Sequence, residues 1–509
     1  MFVKLNLPSF YVSAAVRCIR DFEPNLNNMY ITQHYKKGTS MRKTKIIATI
    51  GPASSSPEML KKLICAGVNT VRLNFSHGVH ADHLKVIRCV RALSISLKQP
   101  VGILQDLQGP KIRLGTFKKG PVLLKKGARF TITTRACVGD EHIAGTTYTK
   151  LHKDVRPGNI VLINDGLVRL TVLAVRGRDV IMRVVVGGVV SNHKGINLPG
   201  VRVSEPSVTS KDRIDLAFGI RHNVDYVALS FVRTANDIRK VKAIVARSGK
   251  NIQVIAKIEK PEAVEQCHDI IDAADGIMVA RGDLGVELSP EAVPAIQKKL
   301  IACAAKQNKI VITATQMLES MTEHPTPTRA EASDVANAVY DGTDAVMLSG
   351  ETASGKYPME TVRMMHKIAL AAEESHIGEK SGYFTDALDT PAIQAAANAA
   401  LYICEEILGK AIIVFTMSGS TARLIAKNKR RETIIALTPD RDVLNQLSLV
   451  WGVVPLYLPY MRNSDDMIKK GLAAAQKSGL VNHGDKVVIV SGNAYHAGST
   501  NMIKVATLR

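Results

Sequence analysis

One pattern constrains this chain more than any other. Short β-branched runs alternate with helix-length segments, and the alternation repeats eight times. The runs are 45–50, 70–74, 101–106, 224–230, 253–258, 276–280, 310–313 and 344–348. Each leads into a segment of helical spacing, for example 57–66, 235–247, 290–307, 328–340 and 358–373. Eight strands each followed by a helix is the count that closes a (β/α)8 TIM barrel. The spacing predicts an α/β fold with that barrel over 41–111 and 207–375.

One crossover is too long for the pattern. Residues 112–206 carry strand signals at 129–133, 159–163, 168–175 and 180–186. Turn punctuation separates them at Pro157-Gly158-Asn159, Asn164-Asp165-Gly166 and Arg176-Gly177-Arg178. This predicts an all-β lid domain inserted on one barrel loop. After about residue 375 an Ala-rich helix (392–408) and strands at 411–416, 433–437, 453–457, 486–490 and 503–506 predict a C-terminal α/β domain over 376–509. Residues 1–40 show no period and stop just before a second methionine, Met41. With Asp21 and Glu23 and no apolar core before a small-residue cleavage site, they do not read as a signal peptide. They are expected to be a non-structural extension whose removal leaves activity intact.

Charge raises one alternative. The 67 basic and 45 acidic residues give a net charge of +22 and a pI near 9.6. Such a balance invites a nucleic-acid reading. The excess is spread, however, with +8 in 41–111 and +10 in 112–206. No Lys/Arg run exceeds three residues, no zinc-finger spacing is present, and aromatics are 5% with a single Trp451. A positive field that attracts small anionic substrates fits better than nucleic acid. Seven scattered cysteines without a C-x-x-C pair argue against a disulfide framework or a zinc site, and for a reducing, cytoplasmic compartment. No apolar run approaches the roughly 18–20 residues of a membrane helix.

A barrel builds its site at the carboxyl ends of its strands. Six of the eight ends here carry polar or charged groups that a packed core could not accept unpaired. Glu259 and Asp283 supply two carboxylates from adjacent strands, a set suited to Mg2+ (or Mn2+) completed by substrate oxygens and water. Lys257, two residues before Glu259, shares its strand face and can neutralise a transferring phosphoryl group. Arg72 and Arg113 offer planar forks for phosphate or carboxylate. Gly282 lets backbone N–H groups approach an anion, and Thr315 adds a hydroxyl at a strand end. Together these describe metal-assisted chemistry on a small phosphorylated or carboxylated substrate. Enolate chemistry and phosphoryl transfer both suit the parts. In the C-terminal region, Thr416-Met417-Ser418-Gly419-Ser420-Thr421 follows a strand and opens a helix, so hydroxyls and free N–H groups are expected to converge on an anion.

Seven motifs resemble those of the pyruvate kinase family, over essentially 41–509. They are R-L-N-F-S-H-G at 72–78, D-L-Q-G-P-K-I-R at 106–113, N-H-K-G-I-N-L-P-G at 192–200, M-V-A-R-G-D-L-G-V-E at 278–287, T-A-T-Q-M-L-E-S-M at 313–321, P-T-R-A-E-A-S-D-V-A-N-A-V at 327–339 and M-L-S-G-E-T-A at 347–353. The resemblance implies transfer of a phosphoryl group from phosphoenolpyruvate to ADP, giving ATP and pyruvate, in a homotetramer. It implies that Arg72 contacts the substrate phosphate, that Lys257 stabilises the phosphoryl in flight, and that Glu259 and Asp283 hold Mg2+. Gly282, Asp283 and Thr315 would bind substrate, with Thr315 near the enolate face that takes the proton. Asn74, Phe75, Ser76, His77, Arg113 and Lys194 would lie on the nucleotide side. Thr416, Ser418, Gly419, Ser420 and Thr421 would take the phosphate of an allosteric sugar phosphate or nucleotide.

One position departs from the potassium-dependent members, which carry Glu where this chain has Lys111. Their K+ is held by oxygens matching Asn74, Ser76, Asp106 and the Leu107 carbonyl. Those residues are all present, but Lys111 brings a fixed ammonium, so K+ is expected not to be required, as in members with Lys here. Two rivals stand beside this reading: a Mg2+-dependent lyase or aldolase on the same barrel, and a non-enzymatic polyanion binder. The lyase needs neither a basic lid nor a second set of nucleotide-directed cations. The binder needs no convergence of Lys257, Glu259, Asp283 and Thr315.

Overall fold

Eight parallel strands close on themselves in the order β1-β8-β7-β6-β5-β4-β3-β2. They are β1 (Lys45–Thr49), β2 (Thr70–Asn74), β3 (Gly102–Asp106), β4 (Tyr226–Leu229), β5 (Gln253–Ile258), β6 (Gly276–Ala280), β7 (Ile310–Ala314) and β8 (Ala345–Leu348). The computed structural model describes residues 41–376, 391–492 and 500–509. The 1–40 extension lies outside the described residues, as do 377–390 and 493–499 of the C-terminal region.

Alternation along each strand sorts side chains to two cores. Ile46, Ala48, Val71, Leu73, Val254 and Ala256 pack with the surrounding helices. Ile47, Leu104, Tyr226, Ile255, Met278, Ile312 and Met347 form the other core, which continues into the C-terminal domain at Leu447, Leu449 and Val450. Each Val, Leu, Ile or Met among them stabilises the fold by about 1.5–3 kcal/mol when fully buried. Capping boxes fix the starts of three barrel helices, at Thr209 with Asp212, Thr234 with Asp237 and Thr328 with Glu331. The barrel therefore stands as the sequence predicts; β7 ends one residue later than its run, β1 and β4 end one residue earlier, and β3, β4 and β8 start one or two residues later.

The insert after β3 is a six-stranded sheet ordered Ile196–Asn197, Ile160–Ile163, Val168–Arg176, Asp179–Val186, Arg129–Thr133, Ile143–Gly145. A two-stranded ribbon, Val122–Leu124 with Gly188–Val190, and a short helix, Leu151–Asp154, complete it. Phe130, Ile132, Leu170, Val172 and Met182 form its own core. The C-terminal sheet is ordered β11-β10-β9-β12-β13: β9 (Ala411–Phe415), β10 (Thr433–Thr438), β11 (Val453–Tyr457), β12 (Lys486–Gly492) and the antiparallel β13 (Thr500–Thr507). It docks on the amino end of the barrel, where Tyr226 donates to the Gln446 carbonyl and Lys45 Nζ to the Val453 carbonyl at 2.7 Å. The insert and the C-terminal domain thus sit at opposite ends, which leaves the carboxyl rim facing the insert.

Candidate active site at the barrel rim

Asp106 ends β3 and organises the rim. Its Oδ2 accepts from Arg72 Nε at 2.8 Å, and Arg72 Nη1 donates to Thr49 Oγ1 at 2.9 Å. Its Oδ1 lies 3.3 Å from Lys257 Nζ. Lys257 also reaches Glu259 Oε1 at 2.9 Å and donates to Ser230 Oγ at 2.7 Å. The two-residue spacing on β5 therefore brings Lys257 and Glu259 into contact, as strand geometry requires.

All of these groups are buried. Burial alone would lower the Lys257 ammonium, but Asp106 and Glu259 overcome it and hold the group above the ordinary lysine range. Burial would raise Asp106, but Lys257 and Arg72 outweigh it and keep the carboxylate below its usual value. Glu259 goes the other way: burial, with Asp283 facing it, pushes its carboxyl up despite Lys257. Its Oε2 accepts from the Phe231 N–H at 2.8 Å, and its buried Oε1 is ion-paired with the Lys257 ammonium. A buried carboxylate that shares its one ammonium with Asp106 and faces a second carboxylate, Asp283, is a fit for a hard cation. Among the described residues no group of three His, Cys, Asp or Glu side chains forms a metal cage. Two carboxylates that leave positions for substrate and water match the Mg2+ pattern.

Thr315 follows β7 with φ of +69°, a conformation a β-branched residue rarely adopts. Such backbone stores roughly 1–3 kcal/mol and persists only where its surroundings enforce it. Arg281 enforces it: Nη2 donates to the Thr315 carbonyl at 2.8 Å and Nε to that of Ala314 at 3.2 Å, while Asp334 holds Nη1 at 2.6 Å. The Thr315 hydroxyl donates to the Ala314 carbonyl at 2.6 Å and accepts from the Gly282 N–H at 2.7 Å. Gly282 and Asp283 open the helix Arg281–Glu287 directly after β6, so this hydroxyl pins the start of that helix to the end of β7.

On the insert side, Arg113 Nη1 donates to the His193 carbonyl at 3.1 Å, beside Lys194. Burial, with Arg113, Lys111 and Arg72 close by, holds His77 below the usual imidazole range. Asn74 Oδ1 accepts from the Ser76 N–H at 3.1 Å, and the Leu107 carbonyl accepts from Ser230 Oγ at 2.7 Å. Lys111 lines a cleft between insert and barrel, with Asp283, Phe231, Arg233, Lys260 and Glu287. The Phe75 ring is not brought to the rim: it is buried, stacked on His83 at 4.2 Å, and its carbonyl accepts from Lys211 Nζ at 2.6 Å. The rim thus gathers Arg72, Asp106, Lys257, Glu259, Gly282, Asp283 and Thr315.

The C-terminal loop stands apart. It precedes a helix of seven residues, Ser420–Ala426, and Gly419 has φ of +77°, where a glycine is favoured. The Gly419 N–H donates to Thr416 Oγ1 at 2.9 Å, and Ser418 Oγ to Ser420 Oγ at 3.0 Å. Donors expected to be free are thus partly used within the loop.

Four rim residues escaped the sequence reading: Thr49, Ser230, Phe231 and Arg281. Ser230 left a signal, a hydroxyl closing an otherwise apolar strand. Arg281 left one too, within A-R-G-D, but its task faces inward to Thr315 and Asp334 and only the fold displays it.

Comparison with known proteins identifies the family. The model of the pyruvate kinase barrel domain matches residues 41–362, and that of the pyruvate kinase alpha/beta domain matches 394–506. Pyruvate kinase 2 of Synechocystis sp. is 48% identical over 473 residues, covering 92% of this chain and 80% of the relative. The pyruvate kinases of Geobacillus stearothermophilus and Staphylococcus aureus are 45% and 44% identical over 477 and 469 residues, each covering 91% of this chain and 80% of the relative. With both domain models matched in order and the rim built as described, the chain belongs to the pyruvate kinase family.

Proposed function

We propose that the rim performs the family reaction through the residues gathered there: phosphoenolpyruvate gives its phosphoryl group to ADP, forming ATP and pyruvate. The enzyme is a phosphotransferase. The observation that carries the residue assignment is the buried Lys257 ammonium, kept charged between Asp106 and Glu259.

Transfer breaks the P–O bond to the enol oxygen and forms one to the terminal oxygen of ADP. Charge on the transferring group is the main obstacle, and positioned cations lower it. Arg72, fixed by Asp106 and Thr49, binds the substrate phosphate. Lys257 follows the phosphoryl between donor and acceptor. The enolate left behind takes a proton at carbon on the Thr315 side, and the Gly282 and Asp283 backbone orients the carboxylate. Asn74, Ser76, His77, Arg113 and Lys194 face the nucleotide, and Phe75 supports them from the core. Glu259 and Asp283 would hold Mg2+, which when bound adds positive charge beside the phosphoryl oxygens. Closing the insert over the rim excludes water, so that ADP rather than water accepts the phosphoryl.

Two features beyond the reaction belong to this proposal. Asp106 already carries Arg72 and Lys257, and Lys111 adds an ammonium, so a further K+ meets repulsion at Asn74, Ser76, Asp106 and Leu107. Activity is therefore independent of K+. The Thr416–Thr421 loop binds the phosphate of an activating metabolite, in a cytoplasmic homotetramer.

Omission assays test the reading. Pyruvate should form from phosphoenolpyruvate only when ADP and a divalent cation are both present. Pyruvate release without ADP would favour a lyase, and binding without turnover a polyanion binder.

A further inference from the structure

Lys260 follows Glu259 directly, and Glu287 lies four residues after Asp283 on the same helix, hence on the same face. The two side chains meet. Lys260 Nζ donates to Glu287 Oε1 at 2.7 Å, with both groups nearly excluded from solvent. A third group fixes the same oxygen: Asn197 Nδ2, from the insert, donates to it at 2.9 Å. Glu287 Oε2 is buried without a hydrogen bond, an arrangement that packing alone would not favour. On the other side, the Lys260 ammonium sits 5.9 Å from the centre of the Phe231 ring, and the Phe231 N–H is the donor to Glu259 Oε2.

The bridge therefore connects the loop that carries one metal carboxylate to the helix that carries the other. Glu259 and Asp283 come from different strands, and like charges push them apart. The pairing of β5 with β6 ends at Ile258 and Val279, so both carboxylates lie beyond the last paired residues. Residues that orient metal ligands from behind typically change metal affinity by about 10–100-fold when removed.

We propose that Lys260 and Glu287 are positioning residues that set the geometry of the Glu259–Asp283 pair for its divalent cation. The inference rests on the reading of Glu259 and Asp283 as the metal carboxylates. The test is Mn2+ binding to the full-length chain without substrate, followed by the EPR signal of free Mn2+, with thermal unfolding measured in parallel. Lys260→Met should weaken Mn2+ binding about tenfold or more. Lys260→Arg, which keeps the ion pair, should restore it to within about threefold. Lys260→Met also strands a buried carboxylate and lowers stability; adding Glu287→Gln removes that charge and should recover the stability. It should not recover Mn2+ affinity, because the tie is still missing. A double variant that regains both would show a merely structural pair. Affinity of Lys260→Met within about twofold of the parent would also overturn the proposal. Asp283→Asn separates the two levels. If it loses Mn2+ while Lys260→Met does not, the positioning role falls alone; if it binds like the parent, the metal assignment fails and the proposal with it.

Discussion

Both ends of the barrel bury lysines against carboxylates, and the two clusters are balanced in opposite ways. At the rim, Arg72 and Lys257 face Asp106, Glu259 and Asp283. Carboxylates are in excess, so Lys257 stays charged and Glu259 is left under strain. At the base, Arg42, Lys43, Lys45, Lys427 and Lys429 share Asp344, Glu373 and Glu432. Cations are in excess there. Burial lowers Lys45 to about 7, helped by Arg42, and lowers Lys43 and Lys429 to about 8. The base satisfies itself with carbonyls, as in Lys43 Nζ to the Arg431 carbonyl at 2.6 Å, and with the Trp451 ring, 4.7 Å from Lys429 Nζ. The rim keeps carboxylates in excess; the base closes a seam between two domains. One barrel thus separates chemistry from cohesion, as its fold class generally does.

The largest expected effect breaks the rim. Lys257→Ala should lower kcat at least about a hundredfold, the scale of one lost transition-state stabiliser. The dissociation constant for phosphoenolpyruvate should move far less. A large rise in that constant with kcat preserved would reduce Lys257 to a binding group. Lys111→Glu sharpens the charge count next. It removes the local ammonium, so K+ added to a tetramethylammonium buffer should stimulate the variant about tenfold or more, by the electrostatics of a partly buried pocket. Stimulation of the parent to that extent would refute K+ independence.

Ser420→Glu probes a loop that belongs to neither cluster. A carboxylate there repels a phosphate, so activation by a sugar phosphate or nucleotide should fall below about twofold, short of typical allosteric coupling. Surviving activation would put the effector elsewhere. The smallest effect is a slope. Lys43, Lys45 and Lys429 have folded values below the unfolded value of about 10.4. Between about pH 7 and that value the unfolded chain holds more protons, so these groups make stability rise with pH, each by about 1.4 kcal/mol per pH unit while it titrates. Below about pH 7 they are charged in both states and the slope vanishes. Lys45→Met removes one titrating group, and its melting temperature should climb less from pH 7 to about 9.5 than the parent's. Equal slopes would mean that Lys45 is not the group titrating in that window.

What could be read from the sequence follows the same division. The barrel was legible because short β-branched runs alternate eight times with helix-length segments. Lys257 and Glu259 were legible because their contact is local. The insert was read only in part, since Val122–Leu124 and Ile143–Gly145 are too short to show a period. Arg281 with Asp334 and Lys260 with Glu287 join side chains 53 and 27 residues apart, and no spacing rule predicts them. The base cluster was invisible for the same reason: Lys427 and Lys429 meet Asp344 across 83 and 85 residues and a domain boundary. Lysines in the K-N-K-R-R run at 427–431 otherwise read as surface charge.

The division of labour between the two ends is tested most directly by kcat of Asp344→Asn. This change strands two buried ammonium groups and should cost about 3–5 kcal/mol of stability. Assayed well below its melting temperature, the variant should keep kcat within about threefold of the parent, because no group at the rim touches Asp344. A hundredfold loss of kcat, on the scale expected for Lys257→Ala, with the melting temperature unchanged, would contradict the account.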